Sequence, residues 1–327
     1  MDIEALRARR EERRRAIRRR RLVAVGLLAA VAVAVAAIAI ATAGSGGSPT
    51  RAASASDAAS KHASAAHRSA SGARAPAAAH ASASTGPPGT NPVPILMYHV
   101  IAAPPPGAPF PGLYVPPAEF AEQMQALKGA GWHAVTLDEV EAYWRHGSSL
   151  GAGKPIVISF DNGYNSQYTQ ALPVLRGLGW VGDENLQLSG LPPSQGGLGE
   201  GQIRGLLAAG WELDTQGISH ADLITLDAEQ LHEQVAVARE TLQHRFDVPV
   251  NWFCYPSGHY DATVIAAVKG AGYTGSTTVV PGWASPAEDR YRLHRLRVLG
   301  GTSPAALLAL VADTKADPPA PSSYDGA

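Results

Sequence analysis

The sequence predicts an α/β fold, a distorted (β/α) barrel of about seven strands, set behind a single transmembrane helix and a disordered linker. Three observations carry this reading. Residues 22–43 contain no charged side chain. Residues 44–92 contain almost nothing large enough to pack. From residue 93 onward, short apolar runs alternate with amphipathic segments that often end in glycine, the pattern of a parallel sheet wrapped by helices.

The N-terminus comes first. The formal net charge of −1 hides an asymmetry, because residues 1–21 hold ten Arg against four acids. The rest of the chain is therefore acidic. Residues 22–43, "LVAVGLLAAVAVAVAAIAIATA", span roughly 33 Å as a helix at ~1.5 Å per residue, which matches a bilayer's hydrocarbon core. Arg18 to Arg21 precede this run directly, so the positive-inside rule keeps the N-terminus cytoplasmic and places the C-terminal bulk outside. The expected localisation is thus the cell membrane, single-pass. A cleaved signal peptide is the alternative, although its apolar core is usually shorter. An Arg-rich arm followed at once by such a run is explained by topology, so no nucleic-acid partner is expected. Residues 44–92, rich in Ala, Ser, Gly and Pro, read as a tether without a core. Residues 316–327 read as a flexible tail. One cysteine, Cys254, leaves no disulfide framework, so the domain over 93–315 must be held by its core.

Within that domain the candidate strands are 94–101, 132–137, 155–160, 184–189, 211–214, 251–256, 273–280 and 292–298. Helical segments lie between them, and seven or eight such units suit a closed or nearly closed barrel. Chemistry in such barrels gathers at the C-terminal ends of the strands. Four strands here finish in polar groups: Tyr98-His99, Asp161-Asn162, Asp214 followed by Gln216, and Tyr255-Pro256-Ser257.

Those residues carry a resemblance. "VPILMYHVI", "ISFDNGY", "GWELDTQGISHADLITL" and "FCYPSGHYDATVIAAVKGAGY" follow one another as do the motifs of the polysaccharide deacetylases of carbohydrate esterase family 4, the NodB-homology fold. The opening strand resembles the poly-N-acetylglucosamine deacetylase branch. The resemblance implies hydrolysis of the acetamide C–N bond of an N-acetylglucosamine-containing cell-surface polysaccharide, with a divalent metal, zinc, as cofactor. It makes Asp161 the general base and His99 the acid, and it places Tyr255 and the Ser257 backbone near the oxyanion. The metal places fall on Asn162, Gln216 and His220, where the family has an aspartate and two histidines. Only His220 matches. Carboxamides are poorer zinc ligands than a carboxylate or an imidazole, so the expectation is weakened or abolished zinc-dependent activity. The alternative is a non-catalytic glycan-binding pseudoenzyme. Asp214, two residues before Gln216 on a strand, shares its face and stands as a replacement carboxylate. Trp283, in the loop "VVPGWASP", is the candidate to stack on a sugar ring.

Overall fold

The computed structural model describes residues 86–189, 191, 196–313 and 320–326. The Arg-rich segment 1–21, the apolar stretch 22–43 and most of the linker lie outside them. Among the described residues no helix is long and apolar enough to cross a membrane.

Eight strands form, each inside or within two residues of its expected run: β1 (Ile95–Tyr98), β2 (Trp132–Ala134), β3 (Lys154–Asn162), β4 (Asp183–Leu186), β5 (Glu212–Thr215), β6 (Trp252–Cys254), β7 (Gly275–Thr277) and β8 (Leu296–Arg297). All pair in parallel, in the order β7-β6-β5-β4-β3-β1-β8. β2 lies beside the first residues of β3, from Lys154 to Ile156, and β1 takes over from Val157. The sheet curls. Leu293 bridges to Thr277 of β7, and four residues later Arg297 pairs with Met97 of β1, so one short segment touches both edges.

Helices cover the outer face. They are α1 (Pro117–Gly129), α2 (Leu137–His146), α3 (Leu172–Leu178, entered through a π turn, Gln167–Ala171), α4 (Glu200–Ala208), α5 (Ala228–His232, continued by a π turn and Ala238–Phe246), α6 (Ala262–Gly270) and α7 (Pro304–Asp313). Local chemistry sets their ends. Thr136 and Glu139 form a capping box at the start of α2, and Gly147 closes it in the left-handed conformation. Asp261 accepts from two backbone N–H groups at the start of α6.

Alternation along the strands then sorts side chains between two environments. Tyr98 and Phe160 point outward, where the Phe160 ring stacks on Trp211 at 5.0 Å and meets Phe120 edge-on. Ser159, Asp161, Asn185 and Arg295 point inward and are bonded to one another. The barrel interior is therefore polar around Asp161. Ile95, Val157 and Trp252 join a separate apolar cluster, and the larger hydrophobic core is the layer between sheet and helices.

Both ends of the domain depart from the coreless reading of their flanks. The Gly89 N–H donates to the Tyr143 carbonyl, and the Trp144 indole donates to the carbonyl of Asn91. Residues 320–326, inside the segment expected as a tail, pair in part with the domain. Tyr324 and Tyr260 exchange two backbone hydrogen bonds of 2.9 Å, and Arg292 donates to the carbonyl of Ala320.

Candidate active site

The C-terminal ends of β1, β3 and β5 bring His99, Asp161, Asn162, Gln216 and His220 to one mouth. Gln167, fully buried on the π turn, fixes two of these ends. Its amide donates to the carbonyls of His99 and Asp161, at 2.9 and 2.8 Å. Nothing local in the sequence marks this clamp, because its role depends on a π turn.

Backbone strain concentrates here. Among the described residues four non-glycines have positive φ, and three of them are Asn162 (79°), His220 (51°) and Ser257 (56°). The fourth, Asp247, ends a helix. Left-handed backbone at non-glycine residues costs of order 1 kcal/mol and gathers at functional sites. Gly163 follows Asn162 with φ 89°, and a Cβ there would fall 2.4 Å from the Leu186 side chain, so only glycine lets β3 end this way.

Asp161 is the centre of the constellation and is 1% exposed. Arg295, fully buried on the segment entering β8, grips it with two hydrogen bonds, Nη1 to Oδ1 at 2.7 Å and Nη2 to Oδ2 at 2.9 Å. Asn185 donates a third, at 2.9 Å. Burial alone would raise the Asp161 carboxyl, but the charge and hydrogen bonds of Arg295 overcome it and hold the group down at about 2. Arg295 is absent from the candidates that the sequence offers. The available signal was an arginine alternating with leucines in a strand, which calls for a buried anion. The neighbouring His294 is buried and ion-paired to Glu288.

His99 Nε2 lies 3.9 Å from Asp161 Oδ2, an ion-pair distance too long for a hydrogen bond. Its Nδ1 is buried and has no partner. Burial pushes the imidazole down to about 4, against the pull of Asp161 and with help from Arg295, Arg297 and His220. At neutral pH it is uncharged. His220 is lowered as well, chiefly by burial.

The two carboxamides are arranged differently from each other. The Asn162 amide nitrogen donates to Gln187 Oε1 at 3.1 Å, and Gln187 in turn donates to the Ser189 carbonyl. Gln216 is 2% exposed, and its Oε1 has no partner. Register places Asn162 beside Leu186, whose carbonyl accepts from the Gln216 N–H, so the two flank β4.

Three sequence-derived candidates do not join this group. Asp214 is turned to a deeper layer: its Oδ1 accepts from the Trp252 N–H at 2.9 Å, and its neighbours are Asp183 and Glu212. Asp183 and Glu212 accept from the first N–H groups of α2, so much of this acidity caps a helix. Burial raises all three carboxyls. Tyr255 faces outward into an aromatic cluster, its hydroxyl bonded to the Tyr291 carbonyl. Trp283 packs edge-on against Trp132 and donates to the Val311 carbonyl. Trp132 pairs with Lys154 at the opposite end of β3 from Asp161, so Trp283 is remote from the mouth. Ser257 does reach the rim, exposed and left-handed, and the next turn presents His259, whose Nδ1 meets Asp222 Oδ1 at 3.1 Å. Cys254 is buried with its sulfur 3.2 Å from Arg295 Nη2.

Comparison with known proteins agrees with this geometry. A family model described as polysaccharide deacetylase matches residues 150–276. The putative polysaccharide deacetylase YxkH of Bacillus subtilis (strain 168) is 28% identical over 223 residues, covering 68% of this chain and 77% of that protein. Among solved structures, the Streptococcus pyogenes deacetylase PplD in complex with acetate superposes with a TM-score of 0.63 at 26% identity, over 70% of this chain and 100% of that one. The putative polysaccharide deacetylase BA0330 from Bacillus anthracis gives 0.60 at 26% identity, over 68% and 69%.

Proposed function

The chain carries a polysaccharide deacetylase domain, and on that premise we propose that it engages an N-acetylated amino-sugar polymer at the cell surface with a centre that does not sustain zinc-dependent hydrolysis. Tethering by residues 22–43, with the domain outside the membrane, is part of this proposal and rests on the apolar run and its arginine flank.

One observation carries the catalytic part: the donors around His220. A zinc site wants imidazoles, thiolates or carboxylates. Here the imidazole of His220 has two carboxamides for company, and the Asn162 amide nitrogen is already committed to Gln187. Asp161, the carboxylate whose charge reaches His220, has three hydrogen bonds from Arg295 and Asn185. These residues do not fit zinc. Loss of even a partner behind a ligand lowers metal affinity 10–100-fold, and two ligand changes together imply a drop of at least about 10²–10⁴. Without a Lewis acid a water molecule keeps its ordinary high pKa, and a carboxylate held at about 2 is a weak base for it. What remains is a polar, strained mouth suited to holding a glycan's acetamide.

A second reading, residual metal-independent hydrolysis, is favoured by the neutral His99 beside Asp161. The deciding experiment is metal analysis of the purified full-length protein beside Asn162→Asp/Gln216→His. The double variant is expected to acquire about one zinc and to release acetate from N-acetylglucosamine oligomers, while the native protein does neither. Tightly bound zinc in the native protein would overturn the proposal.

A further inference from the structure

Arg297 has no role in what has been described so far. It lies on β8, paired with Met97 of β1, two residues beyond the buried Arg295. Strand alternation puts it on the inner face with Arg295 and one step nearer the mouth. The two arginines nevertheless differ in every respect that matters. Arg295 is fully buried and neutralised by Asp161. Arg297 is exposed, and among the described residues its guanidinium makes no hydrogen bond or ion pair. It stays close enough to the centre for its charge to weigh on His99.

Charge balance gives this position meaning. Asp161 and Arg295 cancel, and His99 is neutral at pH 7. On the far rim Asp222 is engaged by His259. The mouth beside His99 is therefore left with one uncompensated cation, whose planar fork suits a carboxylate. The loops that follow β1 and β8 add exposed apolar side chains. Phe110, 68% exposed, and Leu299, 41% exposed, are the large hydrophobic side chains most open to solvent among the described residues. They stand on the loops that continue β1 and β8, which are joined where the Gly300 N–H donates to the Gly112 carbonyl at 3.0 Å. An exposed aliphatic side chain two residues beyond a free guanidinium, with an exposed aromatic on the adjoining loop, matches a sugar ring bearing an acid group.

We propose that Arg297 is a specificity-determining residue that binds a carboxylate on the polymer, so that the preferred substrate class is an acidic N-acetylated glycan rather than a neutral one. This rests on the glycan reading above. Released acetate is the other source of a carboxylate at this mouth, and the test separates the two.

The test uses full-length protein, native and Arg297→Gln, in calorimetry with a neutral N-acetylglucosamine oligomer and with an oligomer of equal length carrying a carboxylate on alternate sugars. The native protein is expected to bind the acidic oligomer about tenfold more tightly, the scale of one charge-assisted hydrogen-bonded pair, and less so at high salt. Arg297→Gln should erase this difference and leave neutral binding unchanged, and Phe110→Ala should weaken both ligands alike. Equal binding of the two oligomers by the native protein, or a preference that survives Arg297→Gln, overturns the proposal. A parallel arm titrates sodium acetate against the His99 ring signals in NMR. If the native protein binds neither oligomer, the glycan reading fails. Acetate shifts in the native protein that vanish in Arg297→Gln would then assign the carboxylate site to acetate, and no shifts in either would remove the site altogether.

Discussion

Replacing Arg295 with methionine tests the centre's electrostatics directly. Arg295 is fully buried, makes two hydrogen bonds to Asp161, and donates further to the Thr278 carbonyl, Ser159 Oγ and Cys254 Sγ. Removing one member of such a pair leaves an uncompensated buried charge, which costs about 3–5 kcal/mol. At about 2–4 °C per kcal/mol for a domain of this size, the melting temperature should fall by roughly 10 °C.

The loss should also depend on pH with a definite sign. In the native protein Asp161 is held at about 2, below its usual 3.8. Its contribution, about 2 kcal/mol, is present above pH 3.8 and lost as pH falls through 2. Without Arg295, burial is opposed only by the Asn185 hydrogen bond and by His99, and the carboxyl is expected to rise above 3.8. The group then destabilises the variant as pH rises from 3.8. The gap between native and variant should accordingly be widest at pH 7 and narrow towards pH 3. Reversible denaturant melts at pH 3, 5 and 7 measure it. Asp161→Asn combined with Arg295→Met should recover more than half of the neutral-pH loss. A gap below about 1 kcal/mol at pH 7, or one that does not change with pH, would refute the reasoning.

Asp183→Asn keeps an acceptor for the Leu137 N–H while removing a carboxyl that burial and Glu212 push up. An acid raised in the folded state loses stability as pH climbs above 3.8, so native denaturation midpoints should fall between pH 5 and 8, and the variant's should fall less; parallel curves would speak against the buried acid layer. Trp283→Ala should cost about 3 kcal/mol, from its contacts with Trp132 and Val311, and leave glycan affinity untouched. A variant that melts normally but binds glycan poorly would restore the sugar-stacking role. Ser257→Gly relieves a left-handed backbone and should add about 1 kcal/mol to unfolding free energy, read by chemical denaturation; a loss instead would mean that the serine side chain has a structural partner.

What the sequence made legible follows from where information is local. Strand and helix order came from periodicity and glycine caps, and every strand appeared near its place because most outer-face positions of the parallel sheet are apolar. His99, Asp161, Asn162 and Gln216 were legible because they end or directly follow strands, which is visible in one dimension, whereas His220, five residues past β5, was legible only through the motif resemblance. Trp283 and Tyr255 misled for the converse reason. A loop tryptophan and a strand-end tyrosine look exposed until the packing partner, Trp132 or Tyr260, is supplied from far along the chain. Arg295 was hidden for the same reason, since its partner Asp161 lies 134 residues away. Yet that hidden pair changes the chemistry most. From sequence, Asp161 was a general base deprived of its metal. In the structure it is also an anion already bound by a cation, so its basicity is low before any ligand is considered. On the proposed reading, the two carboxamides and the Arg295 grip would weaken zinc-assisted hydrolysis by independent routes. Restoring ligands at 162 and 216 tests only the first, and any acetate released by that double variant measures how far the second still restrains Asp161.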